Sequence, residues 1–126
     1  MCLAVNIGMK TLLISNDSEL KLLVEGMEGN ENFSFQILEN TDNPIEIIST
    51  VCSEKPGLLI LDDDSLEPNT VDVLKSIKKL CKNTSIVFFT SNDSVELGRQ
   101  ISPLGLLYYG IKPIVKKDFI DVLKAI

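Results

Sequence analysis

The chain has 126 residues, a net charge of −6 and no histidine. That length suits one domain with its own core. The acidic balance offers no basic face to a nucleic acid, and the missing imidazole excludes serine–histidine and cysteine–histidine catalysis and most zinc sites.

Met1 to Met9 carries no positive n-region and is too short for a membrane span, so residues 1–9 read as an N-terminal extension to a domain over 10–126. No apolar run elsewhere approaches transmembrane length. Residues 11–15 read as a buried strand. Asn16-Asp17-Ser18 caps a helix with Leu20, Leu23, Val24 and Met27 at helical spacing, and Gly29-Asn30 ends it. Phe33, Phe35 and Ile37 alternate with polar residues, which predicts a half-buried strand over 33–38. Asn43-Pro44 starts a second helix whose apolar face is Ile45, Ile48 and Cys52. Lys55-Pro56-Gly57 breaks the chain before a strand at 58–62, and Asp63 to Asn69 reads as a polar loop.

Residues 70–82 return to helical period through Val73, Leu74, Ile77, Leu80 and Cys81, and a strand follows at 85–90. Ser91-Asn92-Asp93 caps a weaker helix over 93–102, which Pro103 shortens. Gly105 leads into a strand at 106–110, and Phe119, Val122, Leu123 and Ile126 mark a last amphipathic helix. The chain stops inside that pattern, which points to a fragment of a longer protein. The cysteines Cys2, Cys52 and Cys81 form neither a disulfide framework nor a metal-ligand spacing. Cys52 and Cys81 fall on apolar helix faces and read as buried thiols of a cytoplasmic protein.

Helices between successive strands require right-handed crossovers and a parallel sheet covered on both faces. The expected architecture is a doubly wound α/β fold with five strands in the order 2-1-3-4-5. In such sheets ligands bind at the carboxyl ends of the strands. Asp17, Asp62, Thr90 and Lys112 each sit at or just past such an end. Two carboxylates, a hydroxyl and an ammonium suit a phosphoryl group with a magnesium ion.

These residues, in this order, resemble the receiver domain of two-component response regulators. The similarity runs from about Lys10 to Ile126. The first strand of that family ends in an acidic pair, here Asn16-Asp17. Its third strand follows a proline and ends in the phosphoacceptor aspartate, matching Pro56 to Asp62. Thr90-Ser91 matches the end of the fourth strand, and Tyr109 with Lys112-Pro113 matches the fifth. The spacings 62 − 17 = 45, 90 − 62 = 28 and 112 − 90 = 22 suit the family without large gaps.

The resemblance implies a signalling domain rather than an enzyme, modified by a sensor histidine kinase or a phosphotransfer protein. Asp62 would attack the phosphoryl group carried by the histidine. Mg2+ would be held by Asp17, Asp62 and the backbone carbonyl of Asp64, with Asn16 reaching it through a water. Thr90 would hydrogen-bond the phosphoryl group, Lys112 would pair with a carboxylate or phosphoryl oxygen, and Tyr109 would turn inward as Thr90 moves. Lys112-Pro113 suits a cis peptide bond in a tight turn. The resemblance also names the face of the fourth helix, fifth strand and fifth helix as a homodimer surface, with no direct contact to nucleic acid or membrane.

The chain departs from the pattern at Asn16, at Leu66 where the family has proline, at Thr70 where it has glycine, at Pro103, and in the extra carboxylates Asp63 and Asp64. Taken alone, Asp62-Asp63-Asp64 reads as a solvated acidic loop. Two rival functions stand beside the receiver. One is a binding module of the same fold that is never phosphorylated. The other is a phosphohydrolase, because Leu59 to Asp64 looks like the Asp-x-Asp motif of the haloacid dehalogenase family. The latter lacks a second acidic motif after Lys112, where only Asp118 and Asp121 remain.

Overall fold

A computed structural model describes residues 9–27, 33–38 and 43–125. The elements run β1 (Met9–Ile14), α1 (Ser18–Glu25), β2 (Phe33–Leu38), α2 (Pro44–Glu54), β3 (Leu58–Asp62), α3 (Thr70–Leu80), β4 (Ser85–Thr90), α4 (Val95–Ile101), β5 (Tyr108–Ile111) and α5 (Lys116–Lys124). Short 3-10 turns at Asp63–Ser65 and Ser102–Leu104 follow β3 and α4. The five strands pair in parallel in the order β2-β1-β3-β4-β5, as expected.

Successive side chains of a strand face opposite sides of the sheet, so a strand covered on both faces must be apolar throughout. Leu12, Ile14, Leu59, Leu61, Ile86 and Phe88 meet Ile47 and Val51 of α2, Val73, Leu74 and Ile77 of α3, and Leu97 and Ile101 of α4. On the other face Leu13, Leu58, Ile60, Val87 and Phe89 meet Leu20 and Val24 of α1 and Phe119 and Leu123 of α5. The polar residues that end the central strands therefore lie together at one rim.

Several boundaries differ from the sequence reading. β1 starts at Met9, because its pairing with β2 extends to Phe33. Residues 1–8 and Gly29-Asn30 lie outside the described residues. α1 ends at Glu25, with Gly26 as its C-cap. Asn43 caps α2 by accepting from the Ile45 and Glu46 amides. The buried stripe of α2 is Ile47 and Val51, while Ile45 is exposed. α4 is capped by Ser94, whose hydroxyl accepts from the Leu97 amide. Pro103 falls in the 3-10 turn after it, where its missing N–H is tolerated. Gly105 adopts φ 68° behind that turn, a left-handed conformation that suits glycine. Leu106 and Leu107 then lead up to the sheet, so β5 begins only at Tyr108. The stretch after Asp62 is not a solvated loop, since Asp63, Ser65 and Leu66 are all buried.

Gly110 sits where a β-carbon would lie 2.8 Å from the Phe89 ring and 2.7 Å from that of Tyr108. Phe89 is buried against Phe119 and cannot swing out freely. Gly110→Ala should lower stability by about 1–3 kcal/mol through overpacking. A urea midpoint equal to that of the parent protein would show that the rings yield at no cost.

Candidate functional site

Asp62 is the last residue of β3 and is 0% exposed. A carboxylate taken out of water needs compensating partners. Its Oδ2 accepts from the Ser15 hydroxyl at 2.8 Å and from the Lys112 ammonium at 2.7 Å. Its Oδ1 accepts from the Asp64 amide at 3.0 Å, which shapes the 3-10 turn. Lys112 follows β5 and is anchored to β4 by its own amide, which donates to the Thr90 carbonyl. Its Nζ also lies 2.8 Å from Asp17 and 3.3 Å from Asp64. One ammonium therefore serves three carboxylates that come from the ends of β1 and β3.

Asp17 is the N-cap of α1, and its other oxygen accepts from the Glu19 and Leu20 amides. Burial alone would raise its pKa. The Lys112 ammonium and the two cap amides outweigh that, and the carboxyl is held below its ordinary value. Burial would likewise lower Lys112, but Asp17, Asp62 and Asp64 outweigh it and raise its pKa.

Thr90, the last residue of β4, is completely buried. Its hydroxyl donates to Oδ2 of Asp63 at 2.7 Å, and the Thr70 hydroxyl donates to Oδ1 of the same carboxylate. Thr90 thus faces the neighbour of Asp62 rather than Asp62 itself. Tyr109 is half-buried, with its ring 5.7 Å from that of Phe88, and it borders a cavity of about 340 Å³ beside Gly98 and Ile101 of α4. Burial and then the charges of Asp63 and Asp93 push its phenol up. The Asp63 charge is the first cause that raises Glu67, a sign of how densely carboxylates gather after β3.

Asp17, Asp62 and Lys112 are brought together as the sequence suggests, and the Lys112–Pro113 bond is cis. Asp64 joins them through its amide and carboxylate. Asn16 is exposed between β1 and α1. Sequence reasoning missed Ser15, and it marked Asp63 and Thr70 only as departures from the family pattern, without their link to Thr90. Ser15 could have been found from its place one residue before the acidic pair. Among the described residues, no three acidic, cysteine or histidine side chains stand ready-made around a metal ion. Asp17 and Asp62 nevertheless already converge on one cation, and Mg2+ commonly takes only one or two carboxylates with waters.

Asp17 is depressed, so its contribution to stability is present above the unfolded carboxyl pKa and is lost as pH falls through the folded one. Lys112→Met should remove the part that depends on the ammonium. Urea midpoints taken from neutral pH down into the acid range should then fall less steeply than in the parent. At neutral pH the variant should be about 3 kcal/mol less stable, because three carboxylates lose their counter-charge. An unchanged acid limb would count against the pairing.

No family model matches the chain. It is 27% identical over 109 residues to the sensory transduction protein LytR of Staphylococcus haemolyticus, covering 83% of this chain and 40% of that protein. It is 22% identical over 116 residues to the sporulation initiation phosphotransferase F of Bacillus subtilis, covering 91% and 90%. The chain thus spans less than half the length of the first relative and nearly all of the second. A response regulator receiver domain protein from Methanospirillum hungatei superposes with a TM-score of 0.77 at 18% identity, over 94% of this chain and 92% of that one. A response regulator from Thermotoga maritima gives 0.74 at 14%, over 94% and 96%. These two structures share the fold, with the strand order described above. In sequence the chain is similar to response regulators, and its fold is the one that their receiver domains share.

Proposed function

We propose that Asp62 accepts a phosphoryl group from the phosphohistidine of a sensor kinase or phosphotransfer protein. The observation that carries this reading is a fully buried carboxylate at a strand end, held by a lysine and a serine. A carboxylate oxygen of Asp62 attacks phosphorus, the P–N bond breaks, and the imidazole nitrogen keeps the electron pair. The chain is the acceptor in this transfer. Lys112 and Ser15 orient the nucleophile and offset charge on the incoming group, since phosphoryl transfer asks mainly for positioning and neutralisation. Asp17 and Asp62 would hold Mg2+, with the Asp64 carbonyl and a water on Asn16. The ion supplies charge neutralisation at the phosphoryl oxygens.

Asp62 has no accessible surface, so its oxygens must be uncovered first. Asp64 is 55% exposed and holds Lys112 at the longest distance of the three, 3.3 Å. It is the contact that parts most easily. Exposed Val95, Leu107, Ile111 and Val115 lie on or beside α4, β5 and α5 and support a homodimer surface there. The covered Asp62 and the engaged Thr90 favour the second reading, a module of this fold that is never phosphorylated.

Incubation with a small acyl phosphate and Mg2+ separates the two. One added phosphoryl mass is expected, absent from Asp62→Asn and retained in Asp63→Asn and Asp64→Asn. Modification that persists in Asp62→Asn overturns the assignment, and none in the parent protein favours the inert module.

The switch carries a second expectation. Thr90 must leave Asp63 before it can serve a phosphoryl oxygen on Asp62. Asp63→Ala removes that competitor, worth about 1 kcal/mol for a net hydrogen bond. The beryllofluoride concentration that shifts the Tyr109 ring resonances should fall about fivefold. A midpoint that stays or rises would mean that Asp63 does not restrain Thr90.

A further inference from the structure

The far end of the molecule carries a second chemically distinct site. Cys52 lies in the last turn of α2, and Cys81 caps the end of α3. Both helices end where β3 and β4 begin, opposite the acidic rim. The two sulfur atoms are 3.4 Å apart, although the residues are 29 apart in the chain. This is about 1.4 Å more than a disulfide bond, a gap that small side-chain rotations close. Both thiols are half-buried and unbonded to each other.

They open onto a cavity of about 420 Å³ lined by Lys55, Pro56, Gly57 and Lys82 as well as by the two cysteines. The cavity gives a reagent access to the sulfurs, and the exposed Lys55 and Lys82 favour an anionic one. We propose that Cys52 and Cys81 form a dithiol modification site that exchanges with a small anionic peptide disulfide, such as glutathione disulfide.

The Cys52 thiolate attacks one sulfur of the reagent, its S–S bond breaks, and one glutathione leaves as thiolate and takes up a proton. Cys81 then loses its proton and attacks the Cys52 sulfur of the mixed disulfide, expelling the second glutathione. Two protein thiols are oxidised and one glutathione disulfide is reduced to two thiols. The order of attack follows from the pair. Burial and the Cys52 contact push the Cys81 thiol up to about 11, which keeps it protonated near neutral pH. Cytosolic disulfides of this kind are transient and redox-sensing rather than structural.

The test uses the full chain with Cys2→Ser throughout, treated with glutathione disulfide near pH 8. The folded protein should lose two hydrogen masses, and a peptide map should join Cys52 to Cys81. Cys81→Ser should instead accumulate a glutathione adduct on Cys52. Cys52→Ser should likewise stop at a glutathione adduct on Cys81, since either thiol alone lacks its resolving partner. The oxidised protein should melt several degrees higher, because a long loop is closed. It should still be phosphorylated on Asp62 to the same extent as the reduced form if the phosphoacceptor reading holds. No loss of two hydrogens, or cross-linking as fast in urea-unfolded chain as in folded protein, overturns the proposal.

Discussion

A carboxylate with no access to water sets the terms for the rest of this molecule. Asp62 stands where β3 leaves the sheet, and the interior there cannot hold an isolated negative charge. The partners that make its burial tolerable come from three places: Ser15 after β1, Lys112 after β5 and the amide of Asp64 in the following turn. Strand order brings them together. With β1 and β4 on either side of β3, the rim above Asp62 is lined by whatever ends those strands. The same lysine then reaches Asp17 and ties the cap of α1 to the sheet. Burial, sheet order and helix capping are thus one arrangement seen from three sides.

Two departures from the common receiver pattern explain each other. Asp63 is an extra carboxylate directly after Asp62, and its own burial demands donors. Thr70 stands where a glycine is usual and brings one hydroxyl. Thr90 brings the other. A glycine at 70 would leave an oxygen of Asp63 short of that partner. An apolar residue at 63 would leave the two threonine hydroxyls to find other acceptors. A further departure, Leu66, takes its place in the apolar core against α3 rather than on the surface.

The architecture was legible because each central strand is apolar on both faces and α1, α2 and α4 begin at polar capping side chains. Lys112, Asp17 and Asp62 were legible because they end strands. The rest was hidden for local reasons. Three aspartates in a row look solvated, and nothing in their spacing says that a 3-10 turn folds the second one inward beneath Thr90. Leu106 and Leu107 look like strand, but the left-handed Gly105 spends them on the climb to the sheet. The second helix offered Ile45 as readily as Ile47. The cap at Asn43 and the packing on the sheet choose the latter. The proximity of Cys52 and Cys81 depends on how α2 and α3 pack, which periodicity within either helix does not encode.

The contacts that neutralise Asp62 span 47 residues to Ser15 and 50 to Lys112. Loops of that length close late, after the local helices and neighbouring strand pairs have formed. During synthesis the segment through β4 emerges before Lys112 exists, so its acidic rim lacks the charge that makes burial acceptable. The nascent domain therefore stays loose at this end until its last strand arrives. The site can close only once Lys112 has joined the growing chain.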